Sequence, residues 1–516
     1  MPPRQRPRRR LAPGQIAEEL FCLDPDRDER APQLCAETLL TLMQNGYEAP
    51  ATADQLHSPK CQRFAIRSLA LAENFLGGRD TGRAGDDTTT PAEYGSILAR
   101  GDRIRDSANM QLAQLTMQGL IDPDTQRGQK GAWLLRPFHE SLLWYDARRP
   151  GPNSLEYSVR KVYMRGSGIT LARLLTSPTD ARDATLGESA VAAIHEALTL
   201  ASPLADISAR LESALPTGEV YNSPPDLEQD EKDAWEKGAD PRLADLASRI
   251  CRHAEGVMRQ GGASGPAKLW QLRTILALDL AVHVLQTAWS VTSAPATERF
   301  LLLSLGEGSR ASDPVRQRSE DTYRSARIRL SEATVLTLAR RMRELSAEII
   351  DWAFEFEPRS GLSNAEDDSV SSQLARLRHP ADPGEYLRLA RTAVENANYS
   401  RAEDGFRVLI ESVGLLAGTR YRYLTAPPDL LAALVGALSA SMPMPSRDFF
   451  TAVREEWGFV INQESATDTR LSSQLDGAGL ERNARRAERL LSDAGLALGL
   501  SDRTTMVGER AARSAL

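Results

Sequence analysis

Apolar residues recur at alternating spacings of three and four along residues 321–357. This spacing places them on one side of an α-helix, with the charged residues off that side. The apolar seam comprises Ile328, Val335, Leu338, Met342, Leu345, Ile349, Trp352 and Phe356. Further apolar residues widen the stripe beyond a two-stranded seam. The pattern therefore predicts a long central helix that several other elements contact, and a homodimer formed through this helix is the alternative.

Few runs of Val, Ile, Thr and aromatic residues occur along the chain, whereas Leu, Ala, Arg and Glu are abundant, which favours helix. The 516 residues suggest about three domains at roughly 150 residues each. We therefore expect a mainly α, multi-domain helical protein. The longest apolar run, residues 274–291, contains Asp279 and His283, and is interpreted as a buried helix rather than a membrane span.

The N-terminal region divides into an arginine-rich arm at residues 1–14, expected to be disordered, and a helical domain at residues 15–150. Within this domain a helix ends at Gly119, and a polar turn at residues 122–130 leads into Ala-Trp-Leu-Leu. This order of elements resembles a winged-helix module, a small unit of three helices with a β-hairpin. The resemblance implies that Arg127 and Lys130 lie at the tip of the hairpin, beside bound DNA.

The middle of the chain is interpreted as three segments. Residues 151–212 continue helically, residues 213–241 form a linker rich in proline and acidic residues, and residues 242–426 form a helical bundle that includes the long helix. Near the end of this bundle, Arg420 to Tyr423 alternate basic and aromatic residues. Such alternation is found where bases stack on proteins, although a packed boundary segment is the alternative.

The C-terminal region, residues 427–516, repeats the N-terminal order of elements. Ser446 is expected to cap a second helix, and a third helix is expected from Leu480 to Ala494, followed by a short extended tail. This order again resembles a winged helix. The third helix has one arginine-rich face, consisting of Arg482, Arg485, Arg486 and Arg489. The expectation is nucleic-acid contact through this face, with a solvated or protein-binding face as the alternative.

No catalytic, cofactor-binding or metal-binding motif occurs in the sequence. The histidines lack metal-ligand spacing, and no phosphate-binding glycine loop or nucleophile elbow is present. The cysteines form no CxxC pair and are expected to be reduced and mostly buried in a cytoplasmic protein. We therefore expect no metal and no cofactor, and a role other than catalysis is favoured. Paired acids at Asp86-Asp87 and Asp367-Asp368 leave carboxylate chemistry open.

The function expected from these patterns is a DNA-contacting or scaffold subunit of a bacterial multi-protein complex. Winged-helix-like modules near both ends, with long helices between them, resemble the layout of kleisin subunits in bacterial chromosome-organising complexes. That resemblance implies a protein partner, an ATPase with SMC-type coiled coils, and a role in chromosome organisation or in antiviral defence against foreign DNA. The net charge of −7 restricts DNA contact to local surfaces. The alternatives are a pure protein-interaction scaffold and a helical enzyme acting on a small phosphorylated substrate.

Overall fold

A computed structural model describes residues 10–11, 13–23, 29–57, 61–63, 145–148, 158–160, 166–178, 180–199, 229–306, 313–347, 353–354, 382–396, 401–439, 442–501 and 504–508. These residues are mainly helical, as the composition predicts. The expected N-terminal winged-helix-like module, including Arg127 and Lys130, lies outside the described residues.

The helices of the described part, in chain order, are α1 (Pro13–Phe21), α2 (Ala31–Gln44), α3 (Ser167–Thr176), α4 (Ala181–Thr199), α5 (Gln229–Lys237), α6 (Ala244–Arg259), α7 (Gly265–Val291), α8 (Pro314–Ala347), α9 (Pro383–Asn396), α10 (Arg401–Ser412), α11 (Pro428–Ser439), α12 (Ser446–Trp457) and α13 (Gly477–Asp493).

The strands are short. They are β1 (Arg10–Leu11), β2 (Cys61–Arg63), β3 (Tyr145–Arg148), β4 (Ser158–Arg160), β5 (Leu301–Leu302), β6 (Ala353–Phe354), β7 (Leu416–Ala417), β8 (Tyr423–Leu424), β9 (Met444–Pro445), β10 (Phe459–Val460), β11 (Ala497–Ser501) and β12 (Thr504–Val507).

The chain forms two compact units. One comprises residues 31–276 and the other comprises residues 1–30 together with residues 277–516. In the first unit α3 packs against α2, α4, α5 and α6, and α6 also packs against α4. Strands β2, β3 and β4 form a three-stranded sheet in that order.

A buried carboxylate organises the start of α3. Glu37, on α2, accepts hydrogen bonds from the backbone N–H groups of Gly166 at 3.1 Å and Gly168 at 2.8 Å. The first N–H groups of a helix have no partner within the helix, and its N-terminus favours negative charge. Glu37 therefore supplies the hydrogen-bond acceptors for two backbone N–H groups at the start of α3. Gly166, directly before the helix, takes a positive φ of 92°.

The acidic segment expected to be a linker is partly helical. Residues 229–237 form α5, and Trp235 is 1% exposed. The Arg173 guanidinium lies 4.9 Å from the centre of the Trp235 ring, and the Thr170 hydroxyl donates to the Ala234 carbonyl at 2.8 Å. The expectation of a loop at these residues was wrong, because one tryptophan anchors an otherwise polar helix to α3.

The long helix α8 is the centre of the second unit. It contacts α1, α9, α10, α13, β5 and β8, which confirms a central helix touched on several sides. Its boundaries differ from the expected residues 321–357, because it begins at Pro314 and ends at Ala347. Ala353 and Phe354 form β6, paired in parallel with Arg10 and Leu11. Pairing with a distant strand thus overrides the helical pattern at β6, and the arm expected to be disordered contributes a strand there.

Three of the four described seam residues of α8 belong to the core of the unit. Leu338 and Met342 are 0% exposed and Val335 is 7% exposed. Ile328, which shares the seam pattern, is instead 52% exposed. The side chains of Leu345, Ile349 and Trp352 lie outside the described part. Burial within the chain itself makes Val335, Leu338 and Met342 unavailable to a partner helix.

Helix α7 is long and apolar enough to cross a membrane by length and composition, but 78% of its most apolar stretch is buried inside the protein. Asp279 and His283 are both buried on it. A His283 ring nitrogen lies 3.0 Å from the Phe21 carbonyl oxygen. This pattern is that of a core helix with its polar groups satisfied, as the sequence predicts.

Candidate nucleic-acid interface

The C-terminal module follows the order helix, strand, helix, helix, strand, strand, from α11 through β9, α12 and α13 to the hairpin of β11 and β12. The strands form one antiparallel sheet in the order β9-β12-β11. Three helices followed by a hairpin are the arrangement expected for residues 427–516. A longer connection than expected, containing β10, separates α12 from α13.

Helix α13 has defined ends. The Asp476 carboxylate accepts from the Ala478 N–H at 3.1 Å and caps the first turn. Gly495, just past the last turn, adopts a left-handed φ of 70°, which is common where helices end. The helix thus begins before Leu480, the start expected from the sequence, because the capping aspartate precedes the first apolar residue.

One amide side chain on the inner face of α13 forms hydrogen bonds to two neighbouring backbone segments. Asn483 is 6% exposed, and its Oδ1 accepts from the Leu305 N–H at 2.8 Å. Its Nδ2 donates to the carbonyls of Leu303 at 2.8 Å and Ile461 at 2.9 Å. Asn483 follows Arg482 directly in the sequence, but its side chain belongs to the core. Its three hydrogen bonds set the rotation of α13 about its axis.

The outer face of α13 presents the arginines. Arg482, Arg485 and Arg489 are exposed, whereas Arg486 is half-buried. Arg485 is paired with Glu481 at 3.0 Å, and its side chain remains 69% exposed. Within the described part of the chain, Arg482 and Arg489 have no carboxylate within ion-pair distance. The structure therefore brings the expected cationic face together, with Arg486 at its edge.

Glu488, a second acidic residue of α13, contacts the neighbouring helix α12. Glu488 accepts a hydrogen bond from the Ser446 hydroxyl at 2.5 Å, which orients its carboxylate toward the start of α12. Ser446 was expected to cap α12, but it is the first residue of that helix and makes no capping bond to the backbone. The hydroxyl instead joins α12 to α13.

One basic residue was missed by the sequence analysis. Arg447 follows Ser446 in the first turn of α12, and its side chain is 73% exposed. Ser446 joins this turn to Glu488 of α13, whereas the Arg447 guanidinium lies near Glu464, in the connection between α12 and α13. Its only described carboxylate neighbour is Glu464, at 3.9 Å. The signal in the sequence was a basic residue at the start of a helix, which becomes informative only once α12 is placed beside α13.

The other candidate chemistry of the described residues concerns metal-binding clusters and cysteine thiols. No group of three or more His, Cys, Asp or Glu residues in that part could hold a metal ion. Cys22, Cys35 and Cys251 are buried, as expected, and none of these three takes part in a disulfide. Burial raises the pKa of Cys35 to about 12, and burial together with the nearby Asp183 charge raises that of Cys251 to about 12. Such thiols are poor nucleophiles, because the reactive form is the thiolate.

Comparison with known proteins adds no relative: no protein-family model, no curated protein and no solved structure matches this chain.

Proposed function

We propose that this protein is a DNA-contacting subunit of a bacterial multi-protein complex, and that it contacts duplex DNA through the outer face of α13. The observation that carries the proposal is a helix whose inner face is fixed by Asn483 while Arg482, Arg485 and Arg489 are exposed. Arginine suits this role, because its guanidinium group matches phosphate and guanine geometry through two parallel hydrogen bonds.

The order of elements around α13 supports the same proposal. Three helices and an antiparallel hairpin resemble a winged-helix module, in which the third helix enters the major groove. We assign Arg447, exposed in the first turn of α12, to a contact with the phosphate backbone beside that groove. The connection between α12 and α13 is the main departure from the resemblance. It carries β10, which pairs with β5 in the same unit.

Charge restricts where such a contact can occur. The whole chain has a net charge of −7, so it is not attracted to DNA as a whole. Binding must therefore depend on a local cationic surface, and removing a few arginines should abolish it. A small set of substitutions on α13 is therefore enough to test the proposal.

The proposed setting is a cytoplasmic complex with a protein partner, in the role that the kleisin-like layout suggests. An SMC-type ATPase is the partner class in that setting, and DNA organisation or defence against foreign DNA is the process. The alternative is an interaction scaffold that never contacts DNA. One observation favours it: Ile328 and Leu336, on the central helix α8, are 52% and 40% exposed.

The test is fluorescence anisotropy of labelled duplex DNA across a salt series. The variant R482A/R485A/R489A is compared with the native protein and with R182A/R388A/R391A, which removes the same charge from exposed positions on α4 and α9. We expect salt-dependent binding that is lost only in the α13 variant. Equal binding by both variants, or no binding by the native protein at low salt, would exclude duplex contact through α13.

A further inference from the structure

A small β-hairpin precedes the C-terminal module. Strands β7 and β8 pair antiparallel, with Leu416 opposite Leu424 and Ala417 opposite Tyr423. The turn between them is held tightly at Gly418, which has a φ of 84°. A side chain at this position would meet the Tyr421 carbonyl oxygen at 2.4 Å. The turn therefore requires glycine, and it presents Arg420 and Tyr421 in a fixed arrangement.

The tip of this hairpin, Arg420 and Tyr421, is exposed. Tyr421 is 53% exposed, and the Arg420 guanidinium lies 5.5 Å from its ring centre. Within the described residues no carboxylate lies within ion-pair distance of Arg420. A guanidinium group and an aromatic ring therefore lie together on the surface, and no described carboxylate pairs with the guanidinium.

The next two residues, Arg422 and Tyr423, contact other side chains of the protein. The Arg316 guanidinium lies 4.3 Å from the centre of the Tyr423 ring, and Arg316 is also paired with Glu320 at 3.3 Å. Arg422 lies 3.7 Å from Glu411. The four residues of this alternation therefore divide into two pairs. Arg422 and Tyr423 secure the hairpin to the protein, and Arg420 and Tyr421 face solvent.

The hairpin is attached beside α13. The N–H of Ser304 donates to the Leu424 carbonyl at 2.8 Å, and the N–H of the next residue, Leu305, donates to Asn483 at 2.8 Å. Successive Cα atoms are about 3.8 Å apart. Strand β8 and α13 are therefore fastened to adjacent residues of one extended segment. The hairpin and the arginine helix are neighbours within the same unit.

We propose that the hairpin tip binds an unpaired nucleotide of a nucleic acid. The Tyr421 ring stacks on the base, and the Arg420 guanidinium pairs with the adjoining phosphate. Aromatic rings accept any base in this way, because every base has a π-face, and a nearby cation binds the backbone. Together with the proposed duplex contact of α13, the hairpin contact favours a ligand in which a duplex is joined to a single strand. This ligand preference rests on the proposed function.

The test compares three labelled DNAs by anisotropy: a blunt duplex, a single strand, and the same duplex with a single-stranded extension. The variants are Y421A, Y421F, R420A and R482A/R485A/R489A. A 2-aminopurine placed at the first unpaired position reports stacking directly, because its fluorescence is quenched when it stacks. Y421F keeps the ring and serves as the matched control.

We expect Y421A to weaken binding of the extended duplex about tenfold and to relieve the 2-aminopurine quenching, while blunt-duplex binding is unchanged. Y421F should behave as the native protein, and R420A should weaken binding with a smaller salt dependence. Native quenching and affinity in Y421A would overturn the hairpin proposal alone. Tyr421-dependent binding of single-stranded DNA without binding of blunt duplex would retain the hairpin and overturn duplex contact by α13.

Discussion

The Trp457 indole N–H donates a 2.7 Å hydrogen bond to Oδ1 of Asp279, and both side chains are 0% exposed. Trp457 is the last residue of α12 and Asp279 lies in the middle of α7, so the bond joins the C-terminal module to the long apolar helix α7. A carboxylate in such surroundings is costly unless it is hydrogen-bonded. The indole therefore allows an aspartate to remain in this core.

Replacement of Trp457 by phenylalanine should destabilise the unit. W457F retains most of the apolar volume but removes a donor from the buried Asp279, so we expect a loss of about 1–3 kcal/mol. Urea unfolding followed by circular dichroism measures this loss. D279N in the W457F background should recover part of it, since an uncharged amide is less costly to bury. A W457F midpoint equal to that of the native protein would show that the bond contributes nothing.

Asn483 should be essential to the position of α13. N483L has similar volume but leaves the Leu305 N–H and the Leu303 and Ile461 carbonyls without their partner, so we expect a loss of about 3 kcal/mol or more. The control is R489L on the outer face of the same helix, with a change below about 0.5 kcal/mol. Thermal melting distinguishes them, and equal melting temperatures would contradict the assigned role.

Local sequence signals predicted the helical class, the buried α7 with its histidine, and the arginine face of α13. They could do so because periodicity and spacing act within one element. The inward rotation of Asn483 could not be predicted from spacing, because two of its three partners, Leu305 and Leu303, lie 178 and 180 residues earlier in the chain. Burial of Trp235 was missed for a similar reason: an acidic composition suggested solvent, whereas a single aromatic contact with α3 determined the structure.

Gly168 should not tolerate a side chain. A Cβ atom there would lie 2.6 Å from the Glu37 Cβ and 2.7 Å from the Leu34 carbonyl oxygen, so we expect G168A to cost about 1–3 kcal/mol by overpacking. Gly261 has nothing within 4 Å and is the matched control. G261A should leave stability unchanged or raise it by up to about 1 kcal/mol. Comparable urea midpoints for the two variants would refute the close approach of α2 to α3.

Cys35 and Cys251 should resist alkylation in the native protein. Burial raises the pKa of each thiol from its ordinary 9.0 to about 12, so almost no thiolate forms at pH 8. Iodoacetamide labelling followed by peptide mass spectrometry should modify both only in urea. Since the folded pKa is the higher one, their contribution to stability is complete below pH 9 and decreases as pH rises toward 12. Rapid native labelling at pH 8 would contradict the assigned burial.

The attachment of α13 to residues 301–305 determines where the chain can be cut. Strand β10 pairs with Leu301 and Leu302, and Asn483 bonds to Leu303 and Leu305. A fragment of residues 427–516 would retain every arginine of the proposed interface but lose these partners, leaving β10 unpaired and the Asn483 amide without its bonds to Leu303 and Leu305. A fragment beginning at residue 277 keeps them. The smallest fragment that keeps this surface folded must therefore include residues 301–305. It is much longer than the module that carries the arginines.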